Sequence, residues 1–138
     1  MSGNTTMSSQ ISLTSVSHAC DTLLANQSIR SICIIDPLGN LIFEKNQKNK
    51  IFPLTDKNSQ SLFIQSVLDV ALKKDFDEQI GLLKYNVSYR DKMNFITIPI
   101  FGFVVLISVD PHENCELIAN TAIKIYEIIF KNFSHSDS

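Results

Sequence analysis

The chain contains 138 residues, of which 44% are apolar and 19% are charged, and its formal net charge is −2. This composition predicts one globular domain with a single core and excludes a disordered or repetitive chain. The lack of a basic excess argues against a nucleic-acid-binding protein.

Both ends of the chain are polar, so we expect disordered tails at residues 1–9 and 134–138 around one domain at residues 10–133. The three cysteines, Cys20, Cys33 and Cys115, form no C-x-x-C pair, and no apolar signal segment precedes them. These features favour a reducing, cytoplasmic environment.

The first two predicted elements are a helix and a hairpin. Residues 10–26 are predicted to form an amphipathic helix because their apolar residues recur at helical spacing. These residues are Leu13, Val16, Cys20, Leu23 and Leu24. Two β-prone runs then flank the turn sequence Asp36-Pro37-Leu38-Gly39-Asn40, which predicts a β-hairpin over residues 29–43. Proline presets φ at such a turn, and glycine accepts a positive φ.

A second helix is predicted over residues 59–74, with Asp56 in its N-cap region. Its apolar residues cover about 200° of the circumference at about 100° per residue, which is more than one sheet face can bury. They are Phe63, Ile64, Val67, Leu68, Val70, Ala71 and Leu72. Either neighbouring loops cover the excess, or the helix offers a partner surface such as a dimer interface.

Residues 83–90 alternate strictly between apolar and polar side chains, which predicts an edge strand of an antiparallel sheet. The same parity places Tyr85 and Tyr89 on the core side. Residues 95–100 and 103–109 predict a second hairpin around Phe101-Gly102. Residues 103–109 and 32–35 are almost wholly apolar, so we expect them at the centre of the sheet.

The uncharged stretch at residues 93–109 is interrupted by Pro99 and Gly102 and is slightly short for a membrane span, so we expect no span there. The last helix is predicted to open with a capping box at Asp110-Pro111-His112-Glu113 and to end near Phe133. The element order is therefore α-β-β-α-β-β-β-α. It predicts an α+β fold with a five-stranded antiparallel sheet and helices on both faces.

This order resembles the roadblock/dynein light chain and longin-like superfamily over residues 10–133. Three strings look like those of small archaeal proteins with a roadblock-like fold: Lys73-Lys74-Asp75-Phe76-Asp77, Gly81-Leu82-Leu83-Lys84-Tyr85 and Arg90-Asp91-Lys92. The resemblance implies a homodimer or heterodimer formed by the middle helix and the adjacent edge strand. Such a dimer would form a platform for small Ras-like GTPases or larger assemblies.

The predicted interface combines residues of the middle helix and of the edge strand. They are Phe63, Ile64, Val67, Leu68, Ala71, Lys84, Asn86, Ser88 and Arg90. A cationic set of Lys84, Arg90 and Lys92, joined by Lys73 or Lys74, would suit an acidic partner or phosphate. The simpler interpretation of this set is a solvated edge strand that carries charge for solubility.

Catalytic groups are not evident in the sequence. No glycine-rich phosphate loop is present. His112 and Cys115 have the spacing of metal ligands, but capping and burial explain this segment more simply. Cys20 and Cys33 fall on predicted core positions, where thiols are usually inert. We therefore expect no enzymatic activity, no metal and no cofactor.

Two functions are compatible with these patterns. The first is a non-enzymatic dimeric adaptor or regulatory scaffold, with a small GTPase as a candidate partner. The alternative is a PAS-like or profilin-like sensor module, because those domains also place helices around an antiparallel sheet and enclose a small ligand. The sensor predicts an internal pocket, whereas the adaptor predicts an exposed apolar surface.

Overall fold

The computed structural model describes residues 13–50 and 54–137, with the side chains of the last helix described as far as Ile129. The elements are α1 (Leu13–Leu24), β1 (Ile29–Ile35), β2 (Leu41–Asn46), α2 (Asp56–Lys74), α3 (Asp77–Ile80), β3 (Asn86–Ser88), β4 (Asn94–Ile100), β5 (Phe103–Val109) and α4 (Cys115–Asp137). The strands form one antiparallel sheet in the order β2-β1-β5-β4-β3. The predicted fold class is confirmed, and the short helix α3 is an addition to it.

β1 and β5 occupy the centre of the sheet, as their apolar sequences predict. Cys33 pairs with Leu106 and Ile34 with Val105 in the antiparallel register. Because alternate side chains point to opposite faces, Ile34 and Val105 lie on one face while Cys33 and Leu106 lie on the other. Both faces are buried here, which explains the nearly continuous apolar sequence of the two strands.

One face of the sheet is covered by α1 and α4. Val16, Cys20 and Leu23 of α1 are buried in this core, as predicted. Tyr126 of α4 is also buried there, and its hydroxyl lies 3.0 Å from the Cys20 sulfur in a hydrogen bond. This bond satisfies the polar end of a large side chain inside an apolar layer.

In the described part of the chain, α2 is the helix that covers the opposite face. Phe63 and Val70 of this helix are buried against Cys33, Phe95 and Leu106 of the sheet, in a second apolar cluster. The only other buried residues of α2 are Ser59 and Ser66. The helix therefore packs on the sheet through a narrow stripe, and most of its circumference remains outside the core.

The hairpin between β1 and β2 is confirmed, and its turn also contacts α2. The Asp36 carboxylate accepts hydrogen bonds from the backbone N–H groups of Leu38 and Asn40, both at 2.9 Å. Gly39 adopts a φ of +89°, which side chains with a Cβ rarely accept. A Cβ at Gly39 would lie 2.8 Å from Cγ1 and 3.2 Å from Cα of Ile64. The glycine therefore allows the turn to approach the backbone of α2 closely.

The buried side chain of Gln47 ties the end of β2 to the segment that joins α1 and β1. Its Nε2 atom donates to the carbonyl oxygens of Leu24 at 2.9 Å and of Ile29 at 3.0 Å. A buried amide that met no acceptors would cost free energy. Gln47 thus satisfies the Leu24 carbonyl, which the end of α1 leaves without a helical partner.

The edge strand is shorter than its alternating pattern predicts. Residues 83–90 were expected in the sheet, whereas only Asn86–Ser88 pair with β4. Leu83 packs against the α2 core while Tyr85 packs against the opposite core, so the alternation is broken between them. Tyr89 is exposed rather than buried, because it lies beyond the paired residues. A period of two predicts an extended chain, but pairing stops at Asn86 although β4 continues to Ile100.

The capping box predicted for the last helix is wrong. Residues 111–113 form a turn, and α4 begins at Cys115. The side chain of Asn114 accepts the backbone N–H of Leu117 at 3.1 Å and so caps the helix. Asp110 instead forms an ion pair with Arg30 of β1. The Asp110 carboxylate therefore pairs with a residue far away in the sequence instead of capping the helix as the local sequence had predicted.

Other boundaries differ by a few residues. Thr55, rather than Asp56, caps α2, and α4 extends to Asp137 rather than ending near Phe133, because no proline or glycine stops it. The tail predicted at residues 1–9 lies outside the described residues, and the domain boundaries stay predictions. None of the helices in the described residues combines the length and apolarity needed to cross a bilayer.

Candidate partner-binding surface

The outer side of α2 carries a stripe of exposed apolar side chains. Ile64, Leu68 and Leu72 are spaced four residues apart, and Leu68 and Leu72 expose 56% and 65% of their area. Ala71 lies beside them and is exposed as well. Residues spaced in this way share one face of a helix. We call this face, together with β3, the α2–β3 surface.

The described structure explains why these side chains are exposed. Phe63, Ser66 and Val70 already occupy the positions that face the sheet, and no second layer of the described chain covers the other side. Ser66 satisfies its buried hydroxyl by donating to the Leu62 carbonyl at 2.8 Å. The helix is held in place by its narrow buried stripe, so the outer stripe is fixed in space while it remains accessible.

A groove of about 560 Å³ runs between α2 and β3 and is open to solvent. Leu68 and Leu72 of the helix and Phe95 of the sheet contribute apolar walls. Asp69 of α2 links the two elements, because its carboxylate accepts a hydrogen bond from the Asn86 amide of β3 at 3.2 Å. The same carboxylate accepts from Lys73 of α2 at 2.6 Å. The helix and the edge strand therefore present one continuous surface.

The structure divides the predicted interface residues into two groups. Phe63 is buried in the core, and Val67 is half-buried against it, so neither is fully accessible. Ile64, Leu68 and Ala71 are exposed on α2, and Lys84, Ser88 and Arg90 are exposed around β3. Lys84 and Arg90 lie outside the paired strand, so alternation does not fix them on one face. Their role in an interface stays a prediction.

Sequence analysis missed part of the exposed apolar area. Phe76, Ile80 and Leu82 are all largely exposed in the segment that follows α2. Ile80 and Leu82 had no place in the predicted helix or strand. The short helix α3 that carries Ile80 has no buried residue, so the structure, and no pattern in the sequence, identifies this region.

The cationic residues at this end are partly neutralised. Lys73 pairs with Asp69, and Lys74 lies 3.5 Å from the Asp77 carboxylate. These pairs are exposed and contribute little to stability. They do, however, reduce the positive charge that a phosphate or acidic partner would meet.

The thiols are poor candidates for nucleophiles. Burial raises the pKa of Cys20 and of Cys33 above the ordinary thiol value, so both remain protonated at neutral pH. Cys115, the third cysteine, is buried at the start of α4. Across residues 13–50 and 54–129, no three histidine, cysteine or acidic side chains are grouped so as to hold a metal ion.

The sensor hypothesis predicted an enclosed ligand pocket. Phe63 and Phe95 fill the described core between α2 and the sheet. The cavities on either side of α2 are open grooves, and neither is enclosed. The observed surface suits association with another protein better than retention of a small molecule.

The fold is that of a roadblock domain. A crystal structure of a roadblock/LC7 domain from Streptomyces avermitilis superposes with a TM-score of 0.61 at 8% identity, covering 83% of this chain and 93% of that one. MglB from Myxococcus xanthus superposes with a TM-score of 0.69 at 16% identity, covering 90% and 98%. The gliding protein MglB from Thermus thermophilus gives 0.62 at 12% identity, covering 82% and 89%.

Residues 8–136 match the family of unknown function DUF6659, and the chain belongs to this family. No curated protein matches the chain. At these identities the superpositions establish the fold, which the sequence had also indicated.

Proposed function

We propose that this protein is a non-enzymatic adaptor that functions as a homodimer through its α2–β3 surface. The observation that carries the proposal is the stripe of Ile64, Leu68, Ala71 and Leu72, which the described chain leaves in solvent beside an unpaired sheet edge. Exposed apolar patches of this kind are typical of protein interfaces. A second copy would cover the apolar stripe and the edge together.

The helix is expected to contribute most of the association energy. β3 has only three residues, so its edge offers few backbone hydrogen bonds to a partner. Leu68 and Leu72 each retain more than half of their area in solvent, and burying that remainder is worth about 1 kcal/mol per side chain. We therefore expect α2 to pack against α2 of the second copy, and β3 to fix the orientation of the two copies through its few backbone hydrogen bonds.

The partner that we propose for the dimer is a small Ras-like GTPase. Support comes from the roadblock fold, since members of the superfamily that the sequence resembles act as platforms for such GTPases. A solved MglB structure that superposes with a TM-score of 0.64 at 13% identity is described as having a tetrameric arrangement. Assembly of several copies is therefore compatible with this fold.

Sedimentation velocity of the wild type and of Leu68→Asp tests the dimer. The wild type should sediment as a dimer at micromolar concentrations, and a buried charge at position 68 should weaken association by about 3 kcal/mol or more, which is at least a hundredfold in Kd. Leu117→Asp is the matched control, because Leu117 is similarly exposed on α4 across the sheet. A monomeric wild type, or equal effects of both variants, would contradict the proposal.

A pull-down tests the GTPase. The wild-type protein would be incubated with extract of its native host in the presence of GDP or a non-hydrolysable GTP analogue, and bound proteins would be identified by mass spectrometry. The proposal predicts one P-loop GTPase whose recovery depends on the nucleotide. Recovery of other proteins alone would leave the dimer intact but refute this choice of partner.

A further inference from the structure

The second edge of the sheet, β2, lies at the opposite end from β3. In the described part of the chain, β2 pairs only with β1, so its other side is open. An exposed edge is a template for a further strand. The proposed dimer uses the α2–β3 surface and leaves this edge accessible.

The register shows which backbone groups of β2 face outward. The N–H of Gln47 donates to the carbonyl of Arg30 at 2.7 Å, which makes this a hydrogen-bonded pair. Such pairs alternate with non-bonded pairs along an antiparallel ladder. Lys45 opposite Ile32 is therefore hydrogen-bonded to β1, whereas Asn46 opposite Ser31 and Glu44 opposite Cys33 direct their backbone groups away from it.

The side chains of Glu44 and Asn46 point to the face that α2 covers, because their partners alternate with Ile32 and Ile34 of the other core. There they border an open groove of about 710 Å³ between the hairpin and the first half of α2. A strand added to β2 would thus direct every second side chain into this groove.

The groove has apolar walls, and its charged groups are carboxylates. Leu38, Leu41 and Leu54 supply exposed apolar surface. Glu44 and Asp56 are the charged residues among the described lining, and no lysine or arginine lines it. The two carboxylates belong to different elements, so they flank the groove from the strand and from the helix.

We propose that the β2 edge binds an extended polypeptide segment of a partner protein by strand addition, with lysine or arginine side chains of that segment in the acidic groove. Backbone hydrogen bonds to Glu44 and Asn46 give affinity, and the groove selects basic side chains at every second position of the segment.

A second copy of this chain is a poor occupant of the same edge. Ile34 pairs with Phe43 and Ile35 with Leu41, so Ile42 is an extra residue that forms a bulge in β2. The bulge shortens the regular edge. A symmetric pair of β2 strands would also bring a second Glu44 onto the same face, where like charges repel.

Fluorescence anisotropy with synthetic peptides tests the proposal. The probe is a labelled eight-residue peptide of alternating lysine and valine. The controls are the same peptide with glutamate for lysine, and a peptide of the same composition with the four lysines in one block. The alternating lysine peptide should bind, and both controls should bind at least about fivefold more weakly. Equal binding of the block peptide would show charge attraction alone and would overturn the proposal.

Variants locate the site. Glu44→Lys should weaken the alternating peptide by about fivefold or more. Glu127→Lys, which makes the same charge change at an exposed site of α4, should leave binding unchanged. Equal losses in both would place the peptide elsewhere.

Proline has no backbone N–H. Where the N–H of the replaced residue faces solvent, proline removes a donor that an added strand needs but leaves the bonds to the neighbouring strand intact. Asn46→Pro should therefore fold yet lose the peptide, while Asn46→Ala keeps it. Two N-methylated peptides give the same test on the wild type, one methylated at its odd residues and one at its even residues. Only one set should abolish binding, since alternate amides face β2. Equal effects of the two sets, or dimer dissociation in Asn46→Pro, would refute peptide addition at this edge.

Discussion

Gly39→Ala tests the contact between the β1–β2 turn and α2. Gly39 has a φ of +89°, and an added Cβ would lie 2.8 Å from Cγ1 of Ile64. A left-handed conformation costs a residue with a Cβ about 1–2 kcal/mol. Overpacking adds about 1–3 kcal/mol, because the Ile64 Cα at 3.2 Å belongs to the helix backbone and cannot rotate away. We expect the free energy of unfolding to fall by about 2–5 kcal/mol in total.

Gly102→Ala separates the two contributions. Gly102 has a φ of +87°, and no described atom beyond its chain neighbours lies within 4 Å of the Cβ position. This variant should lose only the conformational contribution of about 1–2 kcal/mol. Urea unfolding followed by circular dichroism measures both losses, provided that the m-value is unchanged. Equal losses at the two glycines would refute the argument that the turn packs tightly on α2.

Three further predictions concern the cap of α4, the buried amide and the ionisable core. Asn114→Ala should lower the free energy of unfolding by about 1 kcal/mol, as loss of an N-cap does, while Glu113→Ala should change it little. Urea titrations measure both values, and a larger loss for Glu113→Ala would support the capping box instead. Gln47→Ala should cost about 1–3 kcal/mol because buried carbonyls lose their donor, against almost no loss for exposed Lys48→Ala in the same titrations. Burial raises the pKa of Cys33 above its ordinary 9.0, so the unfolded chain releases this proton first and stability should fall above about pH 9, by up to about 1.4 kcal/mol per pH unit. Cys33→Ala should reduce that slope when unfolding is measured at increasing pH, and an unchanged slope would contradict a buried thiol.

The elements that sequence patterns predicted best are those whose local signals agree with their burial. β5 is apolar except at Ser108, and it lies between two strands with helices on both faces of the sheet. We therefore expected no alternation of apolar and polar residues along it, and the structure has none. The turn at Phe101-Gly102 has a positive φ at both residues, as a two-residue hairpin requires. In β5 and in this turn, the local sequence preference agrees with the position of the segment in the fold.

The errors arose where a distant partner decides the structure. The alternation of residues 83–90 contains no information about how many of them pair with β4, so the strand was predicted too long. Asp110 looked like a cap because Arg30, 80 positions away in sequence, was not visible as its partner. The exposed stripe on α2 was partly foreseen from its wide apolar arc, but only the packing showed that Phe63 faces the sheet while Leu68 and Leu72 face solvent.

Cross-linking through α2 tests the central proposal most directly. Leu68→Cys places an accessible thiol on the α2–β3 surface, while the three native cysteines are buried and should not react. Leu117→Cys, on α4, is the control. With a short bis-maleimide, the proposed dimer predicts a covalent dimer on a denaturing gel for Leu68→Cys and monomer for Leu117→Cys. A covalent dimer from Leu117→Cys alone, or monomer from both variants at concentrations where the wild type sediments as a dimer, would contradict an interface formed by α2.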